Sequence, residues 1–128
     1  MSYSHLTFLV VDDFSTMRRI VKNILRKLGV TKIHEAENGE AALRVLKQHH
    51  IDFILTDWNM PVMSGLDFLI NVRKNDSIKH LPVIMVTAEA KREQIVLAAQ
   101  HGVNSYIIKP FSERDLSTKI EQVFSRLS

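Results

Sequence analysis

The chain is expected to fold as an α/β domain, a parallel sheet covered by helices on both faces. Three observations predict it. Five short apolar runs alternate with five longer segments of helical period. The connections between them are tight. The length of 128 residues suits five strand–helix units of about 24 residues each, and at roughly 150 residues per domain it leaves no room for a second module.

The first run, Thr7 to Val11, is apolar without interruption from Phe8, as a strand buried on both faces should be. Met17, Ile20, Val21, Ile24, Leu25 and Leu28 then recur at helical spacing on a segment that begins near Phe14. Arg18, Arg19, Lys22, Asn23, Arg26 and Lys27 fill its other, solvated face. Gly29 stands where a helix C-terminus wants positive φ. The second run, Lys32 to Ala36, is half polar and belongs at a sheet edge; a weaker helix follows from Gly39 to Gln48, closed by His49-His50. The third run, Ile51 to Thr56, carries Phe53-Ile54-Leu55 and leads to a helix from Ser64 to Arg73. The fourth, Val83 to Val86, is again wholly apolar and precedes a helix from Lys91 to His101 that ends at Gly102. After Ser105 to Ile108, the sequence Ser112-Glu113-Arg114-Asp115 resembles a capping box and starts a helix with Leu116, Ile120, Val123, Phe124 and Leu127 on one face. Runs one, three and four are the most apolar and should be central. The expected architecture is therefore a single-domain (βα)5, flavodoxin-like, doubly wound parallel sheet of order 2-1-3-4-5.

Composition narrows the function classes. With 45% hydrophobic and 24% charged residues, 4 Gly and 3 Pro, the chain lies in the ordinary globular range. Cys 0 excludes disulfides, thiolate metal sites and thiol nucleophiles. No apolar run is long enough to insert into a membrane, and Met1-Ser2-Tyr3-Ser4-His5 lacks the features of a signal peptide, so a cytoplasmic location is expected. The net charge of +3 raises the question of nucleic acid. The basic face of the first helix has no interleaved aromatics, however, which favours plain solvation. The six histidines show no metal-ligand spacing.

In an open α/β sheet the ligand crevice lies beyond the carboxyl ends of the strands. Asp12-Asp13 follows run one; Asp57-Trp58-Asn59-Met60-Pro61 follows run three; Thr87-Ala88-Glu89 follows run four; Lys109-Pro110 follows run five. Taken singly, each has an ordinary reading: Asp12 or Asp13 as a helix N-cap, Asp57 as a turn residue, Thr87 as a strand end, Lys109 as a solvated lysine. Phe14, Trp58 and Met60 beside them read equally well as lid contacts or as packing. Together the three carboxylates would repel one another unless protons or a cation intervened. A hard divalent ion such as Mg²⁺, which takes carboxylate, water and phosphate oxygens, resolves that repulsion. Asp57 would then be a carboxylate nucleophile in phosphoryl transfer, with the metal, Lys109 and Thr87 covering the phosphoryl oxygens. With those four charges in the site, the rest of the chain carries 16 basic against 11 acidic residues, a formal +5 around a local −2 pocket.

These residues resemble the receiver domain of two-component response regulators over the whole chain, 1–128, with no separate output domain. The stretches Phe8 to Val21, Asp57 to Pro61 and Met85 to Ala90 are similar, more narrowly, to stand-alone chemotaxis regulators. The resemblance implies that Asp57 accepts a phosphoryl group from the phosphohistidine of a sensor histidine kinase. It implies that Asp13, Asp57 and the Asn59 carbonyl bind Mg²⁺, with Asp12 assisting through water. Thr87 and Lys109 would move onto the phosphoryl group, Tyr106 would turn inward, and Asn59 and Glu89 would tune hydrolysis. The Lys109-Pro110 bond is often cis in such domains, and the sequence by itself leaves its state open. Output would pass through a face that includes Ala90, Lys91, Arg92, Ile95, Ala99, Tyr106, Ile108 and Lys119, to the flagellar motor switch protein. A phosphatase is a further implied partner, and a monomer is the expected state.

Asn104-Ser105, where smaller residues are usual, and the charged Glu113-Arg114-Asp115 leave a second outcome open, a relative acting as a phosphate sink or on another target. An aspartate-nucleophile phosphatase of the haloacid type would also use Asp, Mg²⁺, Thr and Lys, but with D-x-D after strand one, where this chain has adjacent acids. A flavin carrier would need a glycine- and hydroxyl-rich loop there.

Overall fold

The computed structural model describes residues 3–127; Met1, Ser2 and Ser128, which enter the expectations above only as chain ends, lie outside them. The elements are β1 (Thr7–Val11), α1 (Ser15–Lys27), β2 (Lys32–Ala36), α2 (Gly39–Gln48), β3 (Phe53–Thr56), α3 (Gly65–Lys74), β4 (Val83–Thr87), α4 (Arg92–Gln100), β5 (Ser105–Ile108) and α5 (Glu113–Leu127). The strands form one parallel sheet of order β2-β1-β3-β4-β5, as the apolar runs predict.

Continuous apolar runs arise because alternate residues serve opposite faces and both faces are covered. Phe8, Val10, Phe53, Leu55, Ile84 and Val86 point to one side and pack against Val21 and Leu25 of α1 and Leu116, Ile120 and Val123 of α5. The Phe8 and Phe53 rings stack at 5.0 Å, and Phe53 meets Phe124 at 5.9 Å. Leu9, Val11, Ile54 and Val83 point to the other side, against Ala42 of α2 and Phe68, Leu69 and Val72 of α3. Met85 joins Trp58 and Ala98 beneath α4. Trp58 is thus a packing residue, whereas Phe14 is solvent-exposed and Met60 half-buried.

Capping follows the local sequence. Asn38 and Ser64 accept from the amides of Ala41 and Asp67 at the starts of α2 and α3. Ser112 and Asp115 exchange bonds of 3.0 and 3.1 Å, the reciprocal box expected for α5. Gly29 and Gly102 take φ of 95° and 88°. The N-cap of α1 is Phe14, which makes no side-chain cap; Asp12 Oδ1 instead accepts the Phe14 amide in a local turn.

Apart from helix ends that shift by one residue, the differences from expectation are few. Ile51 is buried but precedes β3, because the Asp52 carboxylate, rather than a backbone carbonyl, accepts the Thr7 amide there. Strand β4 extends to Thr87, so that site residue is held by the sheet. Ile20 and Leu127 follow the helical period yet are exposed, at 43% and 53%.

Gly65 opens α3 against the strand end that carries Asp57. A Cβ there would stand 1.9 Å from the Asp57 carbonyl oxygen, a backbone atom with no freedom to yield. Gly65→Ala is expected to cost about 2–3 kcal/mol, read as a lower urea midpoint at unchanged slope.

Candidate functional site

The register of the sheet assembles the site. Val11 pairs with Thr56, so Asp12 and Asp57 follow side by side from β1 and β3. Thr87 pairs with Ile108, which brings Lys109 beside it. Backbone bonds hold these ends: Asp12 N donates to Ala36 O, Asp57 N to Val11 O and Lys109 N to Thr87 O. The Lys109-Pro110 peptide, whose state the sequence left open, is cis.

The carboxylates of Asp12, Asp13 and Asp57 lie within 4.8 Å of one another, the one group of three potential metal-ligating side chains among the described residues. Lys109 Nζ donates to Asp12 Oδ2 at 2.8 Å and Asp57 Oδ2 at 3.1 Å. Asp57 Oδ1 accepts the Trp58 amide at 2.6 Å. Asp13 differs, because its Oδ1 is buried without any partner. One ammonium shared by two acids, beside a third acid with an orphaned oxygen, is a donor set with capacity for a cation, and all-oxygen ligation suits a hard divalent ion. The residues present therefore fit Mg²⁺. The cleft above them, about 690 Å³, is lined among others by Asp13, Asp57, Asn59, Thr87 and Lys109.

Burial pushes the Asp12 carboxyl above its ordinary range, and the bonds from Lys109 and the Phe14 amide only partly oppose this. Burial pulls Lys109 down, but its contacts with Asp12 and Asp57 outweigh that and leave it raised. Thr87 is fully buried and its hydroxyl accepts the Glu89 amide at 3.2 Å. The Tyr106 hydroxyl donates to the Glu89 carbonyl at 2.8 Å. Burial, then Glu89 and Asp57, push its pKa up to about 12. Tyr106 and Thr87 are thus tied to the same loop by single hydrogen bonds.

The sequence from residue 8 to 121 matches the model of the response regulator receiver domain. The chain belongs to this family. It is 57% identical over 123 residues to the chemotaxis protein CheY-3 of Vibrio cholerae serotype O1, covering 96% of this chain and 95% of that one. It is 56% identical to the chemotaxis protein CheY of Pseudomonas aeruginosa, over 96% and 99% of the two chains. Among solved structures it is similar to the chemotaxis response regulator CheY4 of Vibrio cholerae, with TM-score 0.85, 30% identity, and 92% and 98% coverage. It is also similar to a chain of the CheX–CheY complex with BeF3 and Mg²⁺ from Borrelia burgdorferi, with TM-score 0.88, 29% identity, and 93% and 89% coverage. The protein is a CheY-like chemotaxis response regulator receiver domain.

In this receiver the eight candidate partner-surface residues are accessible: Ala90, Lys91, Arg92, Ala99 and Ile108 are exposed, and Ile95, Tyr106 and Lys119 are half-buried. Two groups escaped the sequence reading. Arg18, assigned there to the solvated face of α1, donates from Nη1 to the Asp12 carbonyl at 2.6 Å and from Nε to Glu35 at 2.9 Å. Arg73 sends five bonds to Lys79, Leu81, Gly102 and Asn104, tying the loop before β4 to the loop before β5. A basic residue one turn into the helix that follows an acidic strand end is a signal for the first; sequence offers none for the second. Among the described residues no helix is long and apolar enough to cross a membrane.

Proposed function

We propose that the receiver accepts a phosphoryl group on Asp57 from the phosphohistidine of a sensor histidine kinase, in a Mg²⁺-dependent reaction in the cytoplasm. It then signals through the face formed by α4, β5 and α5 to the flagellar motor switch protein. The observation that carries this reading is the convergence of Asp12, Asp13 and Asp57 with Lys109, the Asp13 oxygen left unpartnered. Asp13, Asp57 and the Asn59 carbonyl would hold Mg²⁺ with Asp12 assisting, and the ion would supply charge neutralisation for the incoming phosphoryl oxygens.

The chain's own residues do the rest. The Asp57 carboxylate attacks phosphorus, the donor imidazole leaves, and an acyl phosphate forms. Lys109, already bridging Asp12 and Asp57, follows the new negative charge. Thr87 gives up its bond from the Glu89 amide to donate to a phosphoryl oxygen, and Tyr106, bonded to the Glu89 carbonyl, settles inward as that loop shifts. Asn59 and Glu89 at the rim control the approach of the hydrolytic water. The chain takes up and loses one phosphoryl group; it is an acceptor rather than a multiple-turnover enzyme, and a phosphatase is an added partner.

Of Asn104-Ser105 and Glu113-Arg114-Asp115, the residues on which the sink alternative rests, three make scaffold contacts. Asn104 Oδ1 accepts from Val83 N and Arg73, Glu113 pairs with Lys27 of α1, and Asp115 caps α5. Arg114 and Asp115 also line a groove with Tyr106, Ile108 and Lys119 on the output face, so the charge added there stays available to a partner.

Two measurements test the reading. Mg²⁺ at millimolar levels is expected to change the emission of Trp58, the neighbour of Asp57; a bound ion without any spectral change would place the ion elsewhere. The beryllofluoride-activated chain is expected to bind the peptide of the motor switch protein more tightly than the untreated chain. Equal binding by both forms, or none by either, would favour the sink.

A further inference from the structure

We propose that Arg18 is a positioning residue for the acidic pocket, locked in place by Glu35, and that it acts by fixing the direction of Asp13. Of the three acids, Asp12 is held by Lys109 and the Phe14 amide, and Asp57 by Lys109 and the Trp58 amide. The buried Oδ1 of Asp13 has no partner to orient it. The aim of that carboxylate is left to the backbone that carries it, and the Asp12 carbonyl belongs to the peptide unit immediately before Asp13.

Arg18 grips that unit through a 2.6 Å bond from Nη1 to the carbonyl oxygen. The guanidinium is fixed in turn: Nε pairs with Glu35 Oε1 at 2.9 Å, and Lys22 takes Glu35 Oε2 at 2.8 Å. Glu35 sits in β2 opposite Val10, and the next residue, Ala36, accepts the Asp12 amide. The Asp12 main chain is thus held on both sides, by β2 at its amide and by α1 at its carbonyl. These bonds outweigh burial and keep the Glu35 carboxyl below its ordinary range. The arrangement resembles the outer contacts that orient metal ligands, with a backbone oxygen as the point of attachment.

Geometry and charge make opposite predictions, which renders the idea testable. Arg18 is a cation near a cation site, so by charge alone its removal would tighten Mg²⁺ binding. By positioning, removal weakens it. The proposal rests on the divalent-cation reading above, and the native chain serves as its control. Mg²⁺ affinity is measured by calorimetric titration and Trp58 emission on the native chain, Arg18→Ala, Arg18→Lys, Glu35→Gln and the Arg18→Ala/Glu35→Gln pair, with urea unfolding alongside. Arg18→Ala is expected to bind Mg²⁺ about tenfold more weakly. Arg18→Lys keeps the charge but lacks the fork that spans carbonyl and carboxylate, and is expected to weaken binding as well. Glu35→Gln should weaken binding alone and add nothing in the Arg18→Ala background. Tighter binding by Arg18→Ala, native affinity in Arg18→Lys, or lost stability with unchanged affinity would overturn the proposal. If Arg18→Ala does not fold, Arg18→Lys and Glu35→Gln decide it. A native chain that takes up no Mg²⁺ would instead bring down the cation reading itself, and this proposal with it.

Discussion

Asp57→Asn is expected to abolish uptake of a phosphoryl group from a phosphohistidine kinase or a small acyl-phosphate donor while leaving the fold in place. The substitution is nearly isosteric. The Asn carbonyl oxygen can still accept the Trp58 amide that Asp57 Oδ1 takes at 2.6 Å, and Lys109 keeps its 2.8 Å bond to Asp12. What disappears is the nucleophile, because a neutral amide oxygen does not displace a phosphoryl leaving group as a carboxylate does. Mg²⁺ binding should weaken at the same time, since one of the two directly ligating carboxylates is gone. Labelling with the donor under conditions that phosphorylate the native chain, paired with circular dichroism, checks both halves. Stoichiometric labelling of a folded Asp57→Asn chain would move the acceptor to another residue.

Lys109→Ala is the second large effect, and it separates the two jobs given to that ammonium. In the resting protein Lys109 is the cation shared by Asp12 and Asp57, which are 5% and 8% exposed at their side chains. Removing one partner from a buried ion pair leaves uncompensated charge, and a loss of about 3 kcal/mol is expected in Mg²⁺-free solution at neutral pH. The sign with pH follows from Asp12. Its carboxyl is already raised and rises further without Lys109. A raised acid contributes stability that is complete below its unfolded pKa and is lost as pH climbs through the folded one. The deficit of Lys109→Ala should therefore shrink on mild acidification and grow toward neutrality, and Mg²⁺ should restore part of it by supplying the missing positive charge. Urea unfolding across pH, with and without Mg²⁺, reads this directly. In the phosphorylation assay Asp57 should remain able to accept the group, but Tyr106 should not move into its inward state. A normal activated conformer in Lys109→Ala would remove Lys109 from the relay.

The parts of the fold legible in the sequence are those with one physical cause. A parallel sheet covered on both faces demands uninterrupted apolar strands, so Phe8-Leu9-Val10-Val11 and Val83-Ile84-Met85-Val86 announce themselves, and the half-polar Lys32–Ala36 announces an edge. The site is legible for the same reason: the crevice lies at the strand ends, and the register carries Asp12, Asp57, Thr87 and Lys109 there together.

What was not legible depends on contacts between elements. Ile51 has the composition of a strand residue, but the Asp52 side chain takes the Thr7 amide and delays β3. Ile20 and Leu127 keep the helical period, yet periodicity names a face without saying how far the neighbouring element reaches across it. Arg18 looks like one more solvated cation, because only the crossing of α1 over the end of β1 brings its guanidinium to the Asp12 carbonyl. Asn104 is a departure from the usual small residue, and sequence does not show that its side chain accepts from the amide that starts β4 and from Arg73.

The most direct test of the central claim is the mass of the native chain after incubation with a small acyl-phosphate donor, with Mg²⁺ and with chelator, followed by borohydride reduction and peptide mapping. The expected result is one phosphoryl group per chain, formed only with Mg²⁺ and reduced to homoserine at position 57. Uptake that ignores Mg²⁺, a modified residue elsewhere, or no gain in mass would contradict the account.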